Sequence, residues 1–418
     1  MPIELADPAL PNHRPLVVQM TTVPVSLNYY AGRAQYLADA GYEVVGVSSP
    51  GAELDLFGRR EGVPIHPVPM RRSISPAADL RSLYQLVRLF QRLRPAIVHA
   101  HTPKADLLGS LAARMTGVST VVVSLFGLPQ MTQSGWRRWV LDSTTKIACR
   151  AADLVWCDSE SMRRHVVEQR LATDAKVAVL ARGSANGVDA ADRFNPGRFS
   201  TEDRHALRQN VGIPVDATVL GFVGRVVGDK GIREMATSWR TLRERFPQTH
   251  LLLVGPWEEK DAVPEETTTA LQKDPRVHIV GNQPDVPSHL AMMDLFLFPS
   301  YREGCPTAVL EASAMGLPVV TTDIPGCIDT VLAGETGTLA PVRDAEVLTS
   351  AVEAYLTNAE LAHEHGTAGR RWVLEKFPPS GVWEAVRQAY GRLQGSLPTP
   401  RSGVAEQTTA GPTASRAA

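Results

Sequence analysis

Short apolar runs recur along this chain, each followed by a longer amphipathic stretch, and the whole series happens twice. That alternation restricts the fold more than any other feature, because successive strand-helix units build parallel sheets. In the first series strands are expected at Leu16–Met20, Glu43–Ser48, Ala96–His101 and Thr120–Ser124, with helices near Asn28–Ala40, Leu80–Leu93 and Lys104–Met115. The second opens at Thr218–Val223 and continues with strands near His250–Val254, Val277–Val280, Leu295–Pro299 and Pro318–Thr322. Its helices are expected near Gly231–Arg245, Pro306–Met315 and Ala345–Asn358. No internal sequence repeat accompanies this architectural echo. The expected molecule is α/β, two Rossmann-like domains facing across a central cleft. The first spans 1–195 and the second 196–378, with a linker where Gly, Asn, Asp and Pro cluster over Gly183–Gly212. A helix over 379–396 is expected to pack back toward the first domain, and 397–418, without an aromatic residue, is expected to be a disordered tail.

Composition removes several classes of function. Lys and Arg total 43 against 44 Asp and Glu, a net charge of −1, which argues against nucleic acid as a partner. The four cysteines, Cys149, Cys157, Cys305 and Cys327, form no CxxC pair and point to a reducing compartment with neither zinc nor disulfides. Met1–Arg14 lacks the basic start and apolar stretch of a signal peptide, so export is not expected. No window approaches the ~20 apolar residues that cross a bilayer. The expected location is the cytoplasm, with any membrane contact peripheral.

The chemistry concentrates in the second series. Gly221–Gly231 reads Gly-Phe-Val-Gly-Arg-Val-Val-Gly-Asp-Lys-Gly, so an apolar strand runs into a turn carrying Gly224, Arg225 and Lys230. Two fixed cations at a strand-to-helix turn suit an anionic group. Downstream, Arg302–Glu311 reads Arg-Glu-Gly-Cys-Pro-Thr-Ala-Val-Leu-Glu, placing Glu303 before a helix start and Glu311 about two turns inside it. Pro306 fits the first helical turn, and the free N–H groups of Thr307 and Ala308 would face the same phosphates. Ligands of parallel sheets bind beyond the carboxyl ends of strands, and all these residues fall there. The set describes a site for a nucleotide diphosphate carrying a sugar: Arg225 and Lys230 for the diphosphate, Glu311 for ribose hydroxyls, Glu303 for the sugar near its reacting carbon. With no Asp-x-Asp pair in the chain, no metal and no other cofactor is expected. A dehydrogenase is disfavoured, because Gly221, Gly224 and Gly228 miss the GxGxxG spacing. The bland alternative is that the two glutamates are solvated surface acids.

These residues resemble the donor site of family 4 glycosyltransferases, and the resemblance runs from about Leu16 to Leu393. Within that family the chain looks closest to the bacterial capsule and O-antigen type, through Thr21–Leu27, Val47–Gly51, His101–Ala105, Gly183–Asp189 and Pro325–Cys327. The resemblance implies the GT-B fold, a retaining reaction, and a UDP-linked donor, often an amino or deoxy sugar. It also implies a lipid-diphosphate-linked acceptor at the inner face of the membrane. Many relatives carry Gly-Gly in the loop after the first strand, where this chain has Val23-Pro24-Val25-Ser26-Leu27-Asn28. Relatives also commonly place a donor-contacting histidine where Phe126 stands here, and an apolar ring there favours a 6-deoxy sugar. Asn28, Lys104 and Phe126 are therefore expected to contact sugar or acceptor. His99 and His101 share one face of a strand end, and His101, nearer the rim, joins Glu303 as a catalytic candidate. Arg71, Arg72, Arg137 and Arg138, the last pair flanked by Trp136 and Trp139, are candidates for acceptor or membrane contact. Two other readings remain: a nucleotide-sugar epimerase of the same fold, and a non-catalytic nucleotide-binding scaffold.

Overall fold

The computed structural model describes residues 14–258 and 261–395. The expectations for the first thirteen residues and for the 397–418 tail lie outside them. Two all-parallel sheets carry the chain. The first contains β1 (Leu16–Met20), β2 (Glu43–Ser48), β3 (Ile65–Pro67), β4 (Ile97–Ala100), β5 (Thr120–Leu125), β6 (Leu154–Cys157) and β7 (Val177–Val179), in the order β3-β2-β1-β4-β5-β6-β7. The second contains β8 (Thr218–Val223), β9 (Thr249–Val254), β10 (Val277–Gly281), β11 (Leu295–Phe298), β12 (Val319–Thr322) and β13 (Gly337–Ala340), in the order β10-β9-β8-β11-β12-β13. Strand order therefore reverses between β1 and β4 in one sheet and between β8 and β11 in the other. Such switch points open a crevice at the strands' carboxyl ends.

Period-two alternation sorts the first core into two layers. Val18, Val98 and Val121 point to Leu86, Phe90 and Leu108 of the helices Pro76–Leu93 and Pro103–Met115. Val17, Ile97, Val122 and Trp156 point the other way, onto Val382, Val386 and Tyr390 of the last helix, Pro379–Leu393. That helix follows the second sheet in sequence yet completes the core of the first, and its fully buried valines contribute about 1.5–3 kcal/mol each. The chain thus crosses between domains twice, near Gly183–Val188 and at Phe377–Pro378. The crossings touch each other: Val188 N–H donates to Phe377 O at 2.8 Å. At Gly187, with φ +71°, an added Cβ would lie 2.6 Å from that same oxygen.

One expected element is corrected. Asn28–Ala40 is not a single helix but a 3₁₀ turn, Pro24–Tyr30, and a separate α-helix, Arg33–Asp39. The break is Gly32, at φ +79°, whose N–H donates to both carboxylate oxygens of Glu61 at 3.1 and 3.0 Å. β3, β7 and β13, of three or four residues, and the helices Gly135–Ala151 and Ala359–Lys376 were not anticipated from the sequence.

Candidate functional site

The second sheet's switch point gathers most of the expected donor residues. β8 ends at Val223, and the turn beyond it carries Gly224, Arg225 and, on a short 3₁₀ segment, Lys230. The turn closes at Gly231, φ +69°, where an added Cβ would meet Pro299 O at 1.9 Å, so only glycine permits this approach of the β8 and β11 loops. As a result Lys230, 73 positions away in sequence, forms an ion pair with Glu303, the two side chains 15% and 12% exposed. Lys230 Nζ also sits 4.9 Å from the Phe298 ring centre. Arg225 is exposed and pairs with Glu258 at 2.8 Å. Both cations expected to hold a diphosphate are therefore neutralised by carboxylates.

The helix Thr307–Ala314 starts after Pro306, and no side chain caps it. Its first-turn amides, Thr307 and Ala308 among them, are left to a ligand or water, at the positive end of the helix dipole. Glu311 lies one turn further. The walls of the cleft deprive its carboxyl of solvent and push it up to about 7, a shift that Arg193 only partly offsets.

Loops of the first sheet form the opposite wall. Tyr29 is 60% exposed and stands within electrostatic reach of Glu311, Arg225, Glu303 and Arg72. Sequence reading missed Tyr29. Its only signal was its place in the loop after β1, next to Asn28. Asn28 Oδ1 accepts from Arg60 Nη1 at 3.1 Å. Phe126 stands at the end of β5, edge-on to Trp156 with ring centres 5.0 Å apart. The following Gly127 abuts the Glu303–Gly304 backbone, while the Phe126 ring itself packs against the first domain's core.

Two further expected residues are engaged by other partners in this structure. His101 is 3% exposed, covered by the Tyr30 ring at 4.1 Å between centres, and held by Gln19 Oε1 at 2.6 Å and Ser124 Oγ at 3.0 Å. His99, wholly buried, shares Ser124 and meets the Tyr390 hydroxyl at 2.6 Å. Burial, with the buried Arg33 nearby, holds both imidazoles well below their ordinary pKa and therefore neutral. The pair forms a network beneath the cleft floor, because the strand end that carries them is roofed by the 3₁₀ turn. Lys104 is likewise engaged, donating to Asp79 Oδ1 at 2.6 Å and to Ser73 O at 2.5 Å, so it braces the preceding helix.

The domains are joined beneath Glu303. Ser159 Oγ donates to Gly304 O at 2.8 Å, Ser161 Oγ donates to Asp329, and Gly326 N–H donates to Ser161 Oγ at 2.7 Å. Asp158, 3% exposed, presses on Gly304, where an added Cβ would lie 2.4 Å from its Oδ2. Burial, with Glu303 and Asp329 close by, drives its carboxyl well above the usual carboxylate range. None of these struts has a sequence signature. No cluster of three or more His, Cys, Asp or Glu suited to a metal ion occurs among the described residues.

Two parallel sheets with facing switch points, an ion-paired cation turn and an uncapped helix opposite an aromatic loop define a GT-B glycosyltransferase. Residues 203–372 match the family described as glycosyl transferases group 1, and residues 28–183 match the glycosyl transferase 4-like domain. The capsular polysaccharide biosynthesis glycosyltransferase CapM of Staphylococcus aureus is 32% identical over 374 residues, 90% of this chain and 96% of that protein. The chain belongs to the family 4 glycosyltransferases, on the capsular polysaccharide side of the family. An N,N'-diacetylbacillosaminyl-diphospho-undecaprenol α-1,3-N-acetylgalactosaminyltransferase of Campylobacter jejuni is 25% identical over 70% of this chain and 76% of its own length. The Anabaena protein HepE, crystallised with UDP and glucose, shares the fold at a TM-score of 0.75 and 18% identity, covering 92% of this chain and 100% of its own.

Proposed function

We propose that this glycosyltransferase moves a sugar from a UDP donor to a lipid-diphosphate-linked or saccharide acceptor in cell-surface polysaccharide synthesis, with retention at the anomeric carbon. The observation that carries the reading is the convergence of Arg225, Lys230, the uncapped Thr307–Ala314 helix and Glu303 on one switch point. A diphosphate entering there exchanges carboxylate partners for phosphate oxygens: Lys230 turns from Glu303, and Arg225 from Glu258. Glu303, released, is free to accept hydrogen bonds from the donor sugar, while Glu311 takes the ribose hydroxyls. The acceptor hydroxyl then attacks the anomeric carbon on the face the diphosphate leaves. The bond from that carbon to the phosphate oxygen breaks, and the acceptor proton passes to the departing oxygen. Two cations and a helix dipole supply the charge that leaving-group departure needs, so the site works without a metal.

The name of the Staphylococcus relative supports a role in polysaccharide synthesis, that of the Campylobacter relative the acceptor class, and the UDP held by HepE the donor class. For the sugar itself, the apolar Phe126 at the end of β5, one residue before the Gly127 that abuts Glu303, favours a methyl over a hydroxymethyl group, so we assign a 6-deoxy, N-acetylated amino sugar as donor. A buried hydroxyl facing that ring would go unpaired at a cost of about 1–3 kcal/mol. A lipid-linked acceptor also places the enzyme at the inner face of the plasma membrane. No helix among the described residues is long and apolar enough to cross it. The test is mass spectrometry after incubation with a panel of UDP-sugars and a lipid-diphosphate saccharide. A mass gain of one sugar on the acceptor supports the reading; an epimerised donor, or bound nucleotide without product, refutes it.

A further inference from the structure

Between positions 71 and 151 the chain carries twelve lysines and arginines, three aspartates and no glutamate, a surplus of nine positive charges within a chain of net charge −1. Asp106 is buried, Asp79 is taken by Lys104 at 2.6 Å, Asp142 faces Arg138 at 3.7 Å, and Arg114 pairs with Asp153, just past this segment, at 2.6 Å, while Arg71, Arg72, Arg81, Arg88, Arg92, Arg94, Arg137 and Arg150 are exposed. These residues build one layer, the helices Pro76–Leu93, Pro103–Met115 and Gly135–Ala151, which covers a single face of the first sheet.

The third helix is unusual within that layer. Its buried residues, Thr145, Ala148 and Cys149, all lie in its second half, whereas every residue from Ser134 to Trp139 is exposed. Trp136 and Trp139, one turn apart, are 65% and 70% exposed, and Arg137 and Arg138 separate them. A helix start that contributes nothing to the core, and shows two indoles and two guanidiniums to solvent, has the chemistry of a water–lipid boundary. There indole rings sit at headgroup level and cations meet lipid phosphates. On the neighbouring helix Leu80 and Tyr84 are 67% and 65% exposed. A symmetric pairing of two copies through this face does not fit, since two like-charged faces would repel.

The position matters as much as the composition. Thr132, three residues before this helix, donates to Asp229 of the donor loop at 3.2 Å, and Arg72 lies close enough to Tyr29 to bear on its hydroxyl. The exposed helix start is therefore a lip of the cleft.

We propose that the Ser134–Trp139 overhang and the arginine-rich layer behind it dock the enzyme on an anionic phospholipid bilayer, with Trp136 and Trp139 at the headgroup boundary and the cleft mouth turned toward the surface. This rests on the reading that the acceptor is lipid-linked. The acidic surplus of the rest of the chain is repelled by the same surface and orients the molecule.

The experiment is co-sedimentation of the full chain with vesicles of phosphatidylglycerol and phosphatidylcholine, or of phosphatidylcholine alone, at low and high salt. The variants are the Trp136→Ala/Trp139→Ala and Arg137→Glu/Arg138→Glu pairs. The parent binds the anionic vesicles, loses them at high salt and ignores the neutral ones. Each arginine lost weakens binding about fivefold, and reversing two weakens it at least 25-fold. Transfer to an acceptor embedded in vesicles falls in both variants, while transfer to a short-chain, water-soluble acceptor holds. The proposal is overturned if either double variant sediments like the parent, if neutral vesicles bind equally, or if RNA or DNA binds more tightly than anionic vesicles. Vesicle binding that depends on Trp136 and Trp139, with no transfer to any lipid-diphosphate acceptor, would leave this docking surface standing and remove the acceptor assignment.

Discussion

Glu303 is expected to oppose the nucleotide and yet to be needed for transfer, and Glu303→Gln separates the two effects. In the free enzyme its carboxylate holds Lys230, with both side chains about an eighth exposed. A diphosphate must take that cation and then sit near the carboxylate. Two negative charges about 5 Å apart at an effective dielectric of ~20 repel by about 3 kcal/mol. The cleft is open and Glu303 can turn away, which leaves about 1 kcal/mol, a fivefold change in affinity. Calorimetry should therefore show UDP binding Glu303→Gln about fivefold more tightly than the parent, while the transfer rate falls. Lys230→Met completes the pair by losing a charge-assisted bond worth about 1.5–3 kcal/mol, which weakens UDP roughly 10- to 150-fold. A thermal melt confirms that both variants are folded. Unchanged or weaker UDP binding in a folded Glu303→Gln protein would refute the partner exchange.

Arg225→Ala should cost about tenfold or more in donor affinity, with the parent's transfer rate unmoved by EDTA; loss of activity in the chelator would overturn the metal-free site. The Glu311 carboxyl, raised to about 7, binds its proton in the folded state where an unfolded chain has lost it. Its ionisation therefore removes stability as pH rises from about 4.5 through 7. Glu311→Gln should melt higher than the parent at pH 8 but not at pH 4, and should flatten the parent's gain in UDP affinity between pH 6 and 8; an equal melting shift at both pH values would count against this. Gly304→Ala, whose Cβ would press on Asp158 Oδ2 and on Gly127 N at 2.5 Å, should destabilise by about 1–3 kcal/mol, measured by denaturant titration. Proton NMR should find an α-linked product from an α-linked donor, and a β-linkage would end the retaining assignment.

What the sequence determined by itself was the alternation of elements and the chemistry of turns. Thr218–Val223 and the turn to Lys230 were legible because an apolar run and its closing glycines act over a few residues, through backbone sterics and local burial. The same locality made the helix after Pro306 legible. Tertiary structure decided which of those side chains are available. Lys230 meets Glu303 only because β8 and β11 are neighbours in a sheet whose order sequence does not state. His101 lies at a strand end, as alternation implies, but a 3₁₀ turn broken at Gly32 roofs it, and that break depends on Glu61 reaching across from another helix. Asn28 meets Arg60 while Tyr29 stands near Glu311 and Glu303, because a 3₁₀ turn directs consecutive side chains differently from the α-helix expected there. The Ser159, Ser161 and Asp158 struts join positions separated by more than 140 residues. Period and turn chemistry are properties of neighbours along the chain, whereas pairing and burial belong to the packed molecule, where distant residues compete for the same partners.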